Sequence, residues 1–254
     1  MTPFQNQVFY SMLLFLSITA WPVPSLTSTI QVLPPCISRP FIEVSNHLEL
    51  PPCATYAALN LWNFSVPSPD TDITDPDNLT VVTSFTGTKD EEWFFVLSVA
   101  IEAKGAQLIE LMLDAMHGAN VDDSQRVISR LEQLNYGLKE LGDLLERMYE
   151  KCAPPVFYHQ LRPYLAGSKN MASAGLPNGV FYDIGEGRGE WHQYSGGSNA
   201  QSSLIQAFDI FLGVEHSATG ETKPHGKSNP QVMTGFMQVR TDLRGVIQTK
   251  QCRY

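Results

Sequence analysis

The sequence predicts a mainly α protein, and three observations carry that prediction. The 254 residues divide sharply by proline and glycine. Residues 1–76 hold 11 of the 17 prolines and no glycine, and residues 77–153 hold no proline, so long helices can run through the middle uninterrupted. Within that stretch apolar residues recur at steps of four and three, the helical period. Two capping boxes, Thr88 to Glu91 and Ser198 to Gln201, mark helix starts.

The elements follow in order. Val8 to Trp21 is apolar but shorter than the roughly 20 residues a membrane span needs. No Lys or Arg precedes it, as a secretory signal would require, so it reads as a buried N-terminal helix. Secretion is the competing reading, with Asn63-Phe64-Ser65 and Asn78-Leu79-Thr80 as glycosylation sequons. Two Leu-Pro-Pro-Cys runs bracket an amphipathic segment from Ser38 to His47, with Ser38 as N-cap and Pro40 in the first turn. Ala54 to Phe64 is a second short helix. Leu79 to Phe85 is β-branched and alternating, a strand ending at Gly87.

Thr88 then opens a helix to about Met116, apolar on nearly all sides in its first half and therefore interior. Asp122 or Asp123 caps the next helix. Its positions Val127, Leu131, Leu134, Leu138, Leu141, Leu145 and Met148 form a bundle seam, ended by Ala153-Pro154-Pro155. A third helical piece, Val156 to Leu165, stops at Gly167. Residues 175–197 read as loop with a short strand at Val180 to Tyr182. Gly185, Gly187 and Gly189 lack the strand-turn-helix frame of a dinucleotide site. Ser198 caps a last helix from Gln201 to about Val214.

Composition excludes several function classes. Seventeen basic against 26 acidic residues leave a net charge of −9, contrary to the basic surface a nucleic-acid binder needs. Cys36, Cys53, Cys152 and Cys252 are far apart, with neither zinc spacing nor a disulfide framework. They read as thiols of a reduced compartment, and the expected location is cytoplasmic. No histidine pair has the i,i+4 spacing of a metal site, although His117 and His216 lie near helix ends. No Ser-His-Asp or Cys-His arrangement is legible either.

Three features can carry chemistry. Small residues from Ser195 to Ser203 precede a helix and let backbone approach a flat or anionic ligand; a flexible loop with a cap is the plain alternative. Arg162 follows Phe157 and Tyr158 by one turn; a guanidinium beside an aromatic wall suits an aromatic amino acid, its fork receiving the carboxylate, although a surface arginine looks the same. Phe94, Phe95 and Ser98 would make an apolar wall with one hydroxyl, or simply a core helix.

Together these segments resemble the indoleamine 2,3-dioxygenase family, most closely its fungal members, from about Val32 to Gln238. The blocks are Leu50-Pro51-Pro52 with Thr55-Tyr56-Ala57, Asp90 to Ser98, Leu161 to Gly167, and Gly196 to Ser203 followed by Phe208-Asp209 and Leu212-Gly213. The resemblance implies a haem b enzyme that inserts both atoms of O₂ across the indole C2=C3 bond of L-tryptophan, giving N-formylkynurenine for the kynurenine route to NAD. It implies a small N-terminal domain, residues 30–87, packed on an all-helical haem-binding domain, here residues 88–238 and incomplete. It places Tyr56, Phe94, Ser98, Leu165 and Gly197 around the distal haem pocket and Phe157 on the indole. Arg162 then takes the carboxylate, and Ser198 and Asn199 approach the haem edge and substrate. A monomer without nucleic-acid or membrane partners is expected.

The chain departs from the family pattern at both ends. Residues 1–29 match poorly. Gly235-Phe236-Met237-Gln238 starts toward the family's Met-Arg-x-Tyr-Met-Pro stretch and then leaves it. Residues 239–254 carry Arg240, Arg244, Lys250 and Arg253 against Asp242 and match nothing in the family. None of the six histidines matches the family's proximal iron ligand, so the expected metal ligand set is empty and the chain as written is expected to be inactive. The alternative reading is a non-enzymatic truncated remnant or gene-model artefact without haem.

Overall fold

The computed structural model describes residues 31–214. The apolar run Val8 to Trp21, His216, His225, Cys252 and the basic tail lie outside the described residues. The chain forms two compact units, one up to Ser198 and one from Asn199 onward. Helix dominates the described residues, as the sequence predicts.

The first unit begins with β1 (Val32–Leu33) and helix α1 (Pro35–Leu48). Pro34 occupies the N-cap position and Pro35 sits in the first turn, where its missing N–H costs nothing. The helix thus starts three residues before Ser38, and Ser38 is no cap. It is fully buried, and its hydroxyl donates to the Asp183 carbonyl across the small domain. After a π-turn, Ala57–Leu61, β2 (Phe64–Ser65) pairs antiparallel with β3 (Thr80–Val81). The strand expected over Leu79 to Phe85 is therefore two residues long; at Thr83 the Asn63 side chain takes over the pairing, donating to its carbonyl and accepting its N–H.

β1 pairs parallel with β4 (Val180–Gly185), which pairs antiparallel with β5 (Arg188–His192). Residues 175–197 therefore hold a hairpin where sequence suggested loop. Glu186 and Gly187, both at positive φ (59° and 69°), make the tight two-residue turn that matches strand twist. The sheet and α1 share one core of Leu33, Phe41, Val44, Ala58, Leu176, Val180 and Tyr182.

Two long helices follow, α2 (Lys89–Asn120) and α3 (Ser124–Glu146). Thr88 caps α2 by accepting the Glu91 N–H, and Asp123 caps α3 by accepting the Arg126 N–H. The first half of α2 is interior as its composition demands: Trp93, Phe95, Val96, Leu97, Val99 and Ala100 are buried. The Trp93 indole N–H donates to the Arg147 carbonyl at 2.8 Å, fixing the start of α2 against the end of α3.

The α3 seam is shifted from the one its sequence suggests. Leu134, Gly137, Leu141 and Leu144 are buried, whereas Leu131, Leu138 and Leu145 are exposed. Gly137 sets the register. A Cβ there would fall inside the Leu108 side chain, so α2 approaches α3 along the glycine side and not along the leucine row. Short helices α4 (Met148–Lys151), α5 (Pro154–Val156) and α6 (Arg162–Leu165) complete the run, with a π-turn, Phe157–Leu161, between the last two.

In the second unit the last helix, α7 (Ser203–Leu212), is capped by Ser202, whose hydroxyl accepts the Ile205 N–H. The box expected at Ser198 is thus displaced by four residues, because Asn199–Gln201 form a 3₁₀ turn. Among the described residues no helix is long and apolar enough to cross a membrane, and Cys36, Cys53 and Cys152 are free thiols.

Candidate functional site

An apolar cluster forms where the two π-turns meet the start of α2. Ala54, Leu59, Phe95 and Leu161 are its buried members, and Val81, Phe85, Phe94, Phe157 and Leu165 pack on it half-buried. Three residues singled out from sequence, Phe94, Phe157 and Leu165, are thereby brought together. The Phe94 and Phe157 rings lie 5.0 Å apart between centroids at 43°, a tilted aromatic pair. Their partial exposure leaves one face of the cluster available to a flat ligand.

The π-turn at Phe157–Leu161 decides what stands beside that wall. The Arg162 N–H donates to the Phe157 carbonyl, an i→i+5 bond that seats Arg162, and not Leu161, above Phe157. Such one-turn widenings concentrate at functional sites. The Arg162 side chain is exposed, with its guanidinium 5.4 Å from the Tyr158 ring centroid, and among the described residues it forms no ion pair. Leu161 turns inward and is buried.

Backbone crosses close to this wall. A Cβ on Gly196 would fall inside the Leu165 carbonyl, and one on Gly167 inside the Tyr194 carbonyl. Both glycines are required for the 194–197 segment to lie against the 165–167 turn. A Cβ on Gly197 would sit 2.6 Å from the Leu59 side chain, so Gly197 lies against the cluster. Ser198 is exposed. Asn199 belongs to the second unit, in its 3₁₀ turn.

Ser98 and Tyr56 are both buried. Ser98 donates to the Phe94 carbonyl one turn back, at 3.0 Å. The Tyr56 hydroxyl donates to Glu102 at 3.0 Å, one turn beyond Ser98 on the same face of α2. Glu102 escapes a reading of motifs. Its signal is a carboxylate following the apolar run Trp93 to Ile101, four residues after Ser98.

The start of α2 is held by a second carboxylate. Glu91 is fully buried and accepts the N–H of Phe85 and of Thr86, each at 2.7 Å, and the Thr86 hydroxyl at 2.5 Å. A capping box would return this side chain to the N–H of Thr88; here it reaches further and ties down the loop carrying Phe85. That ring stacks on Tyr164 at 5.2 Å, at the edge of the cluster.

A separate cavity of about 40 Å³ lies between Cys53, Gly167, Tyr182, Tyr194 and Gly196. Burial pushes the Cys53 thiol up to about 12 and also raises Tyr182, so both groups stay protonated at neutral pH.

The cluster suits one face of a planar macrocycle: it has an apolar aromatic wall, glycine backbone at its edge and a cation beside it. Iron ligation is different. His47, His117 and His159 are exposed and His192 stacks on Tyr194. Among the described residues no group of three or more His, Cys, Asp or Glu is placed to hold a metal.

Comparison with known proteins shows the family. The family model described as indoleamine 2,3-dioxygenase matches residues 5–243. The chain is 50% identical over 198 residues to an indoleamine 2,3-dioxygenase of Aspergillus candidus, covering 76% of this chain and 49% of that one. It is 43% identical over 203 residues to the Saccharomyces cerevisiae indoleamine 2,3-dioxygenase, covering 78% and 44%. A 6-hydroxytryptophan 2,3-dioxygenase of Fusarium equiseti is 38% identical over 185 residues, covering 73% and 45%. The chain thus spans about half the length of the curated relatives it matches.

Proposed function

Because the chain belongs to the indoleamine 2,3-dioxygenase family, we propose that it carries the substrate-side wall of a haem dioxygenase acting on L-tryptophan to give N-formylkynurenine. The observation that carries this reading is the π-turn whose i→i+5 backbone bond sets Arg162 one turn from Phe157. It sets a carboxylate-binding fork one turn from an aromatic face, the two groups an aromatic amino acid needs. In this reading Phe157 and Phe94 pack on the indole, Arg162 anchors the carboxylate, and Leu165 with the Gly196-Gly197 backbone excludes water. Ser198 supplies a polar contact to the bound substrate.

Haem b, when bound, would supply O₂ binding and activation for oxygenation of the indole C2=C3 bond. Phe94, Leu165 and Gly197 would face it, with Tyr56 and Ser98 behind them. Holding the iron is proposed to require chain beyond the described residues, since His47, His117 and His159 are exposed and His192 stacks on Tyr194.

The test is titration of the haemin-loaded chain with L-tryptophan, followed in the Soret band, with product read as N-formylkynurenine absorbance. Arg162→Ala is expected to weaken tryptophan binding by about 1.5–3 kcal/mol, the worth of a hydrogen bond to a charged group. Unchanged tryptophan affinity in that variant would remove the carboxylate-anchor role. Because one relative is named for 6-hydroxytryptophan, the same titration with that amino acid ranks the two substrates.

A further inference from the structure

The cavity beside Cys53 measures about 40 Å³, and by size would admit about three waters at roughly 10–15 Å³ each. Its chemistry turns water away. Leu33, Phe41, Leu176 and Val180, all buried, line it from the core that α1 and the sheet share. A water held there would need about two to four polar partners, and the polar groups of the lining are already engaged. The Tyr182 hydroxyl donates to the Pro52 carbonyl at 2.7 Å, and the Tyr194 hydroxyl pairs with His192 Nδ1 at 3.2 Å. The Ser168 hydroxyl donates to the His192 carbonyl and accepts the Tyr194 N–H. The Cys53 thiol donates to the Ser195 carbonyl at 3.9 Å. Among the described residues, the buried polar side-chain atoms left without a partner belong to Ser45, Asn60 and Gln206, and none of these lines the cavity. Such a space favours a small apolar occupant over water.

The neighbouring residues indicate which occupant. Ala54 lines the cavity and is also a buried member of the apolar cluster that carries Phe94 and Phe157. Ala166, Gly167 and Gly196 line it as well, where Gly196 packs against the Leu165 carbonyl. The partition between cavity and cluster is here an alanine methyl and glycine backbone, with no bulky side chain. The oxidisable group at the cavity is also quiet. Burial keeps the Cys53 thiol protonated at neutral pH, and the thiolate is the reactive form.

We propose that this cavity is a binding site for dioxygen, held next to the aromatic wall. A diatomic gas is small enough for the space and asks for no hydrogen bond. It leaves water for an apolar enclosure for the same reason a methyl group does. The choice of dioxygen among small apolar gases rests on the dioxygenase reading above; the dryness of the cavity does not.

The experiment is methyl relaxation of the full 254-residue chain, haem-free and labelled at Ala, Leu and Val methyls, under dioxygen pressure. Nitrogen at equal pressure is the diamagnetic control. Dioxygen is paramagnetic, so its relaxation enhancement at Leu33, Ala54, Leu176 and Val180 should exceed that at Leu97 and Ala100, fully buried in α2, by at least about twofold, as a dry cavity that takes up gas requires. Val180→Ile adds a methylene to the space and should remove most of that excess at Leu33 and Leu176. Ala166→Val fills it from the 165–167 turn and serves if the first variant misfolds. Equal enhancement at lining and control methyls overturns the proposal, as does an excess that survives both folded variants. A nuclear Overhauser effect from water to the Leu33 or Val180 methyls also overturns it and assigns the cavity to ordered water. Neither haem nor tryptophan enters this measurement. A chain that takes up dioxygen here while the tryptophan titration fails therefore keeps the gas site and loses the dioxygenase reading.

Discussion

Replacing Glu91 separates two accounts of how α2 begins. If Glu91 were the second member of a capping box, it would satisfy one helix-start N–H, and Glu91→Ala would cost about 1 kcal/mol, as loss of a cap does. The structure instead buries the carboxylate completely and gives it three donors, two amides and a hydroxyl, from Phe85 and Thr86. Hydrogen bonds to a charged acceptor are worth about 1.5–3 kcal/mol each. Truncation strands these donors around a space that water refills only in part, so the expected loss is about 3–5 kcal/mol. Glu91→Gln keeps one acceptor oxygen for an amide but turns a donor toward the other, and about 2 kcal/mol is expected. Thr88→Ala, which removes the cap and the hydroxyl contact with Thr86 but leaves the Glu91 carboxylate in place, is the internal reference at about 1 kcal/mol. The assay is urea denaturation followed by far-UV circular dichroism, with a common slope required across variants. The reasoning fails if Glu91→Ala costs no more than Thr88→Ala. If it holds, the variant should also loosen Phe85 from Tyr164, visible as lost near-ultraviolet dichroism.

Three further outcomes are expected. Hydrogen bonds from Arg126 and Arg130 hold Asp114 down at about 2. A carboxyl depressed on folding stabilises the native state above its unfolded value and loses that contribution as pH falls through its folded value. The melting temperature should therefore drop between about pH 4 and pH 2, and Asp114→Asn should flatten that drop. Burial raises the Cys53 thiol to about 12, so alkylation at pH 8 mapped by mass spectrometry should mark the exposed Cys36 first and leave Cys53 protected until unfolding. Gly196→Ala places a methyl against the Leu165 carbonyl backbone, and a loss of about 2–4 kcal/mol in denaturation is expected with displacement of Leu165 from the cluster.

What the sequence determined on its own is the helical class, the starts of the two long helices and the family to which its blocks belong. These depend on residues within a turn or two of one another: proline kept out of residues 77–153, Thr88 as one cap and Asp122 or Asp123 as the next, and Phe157 and Arg162 on one short segment. What only the tertiary structure decided is where each of these points. The α3 period allowed two adjacent apolar rows, and contact between Gly137 and Leu108 chose the one containing Leu134 and Leu141. Ser38 had the look of a cap, but its partner is a carbonyl 145 residues away. Glu102 carried no motif because its meaning is Tyr56, brought in from another element. The Arg162 N–H reaches the Phe157 carbonyl only because the helix there widens by one residue. Local propensity sets which backbone forms. Close packing, with buried polar groups that must find partners over long separations, sets which faces of that backbone meet.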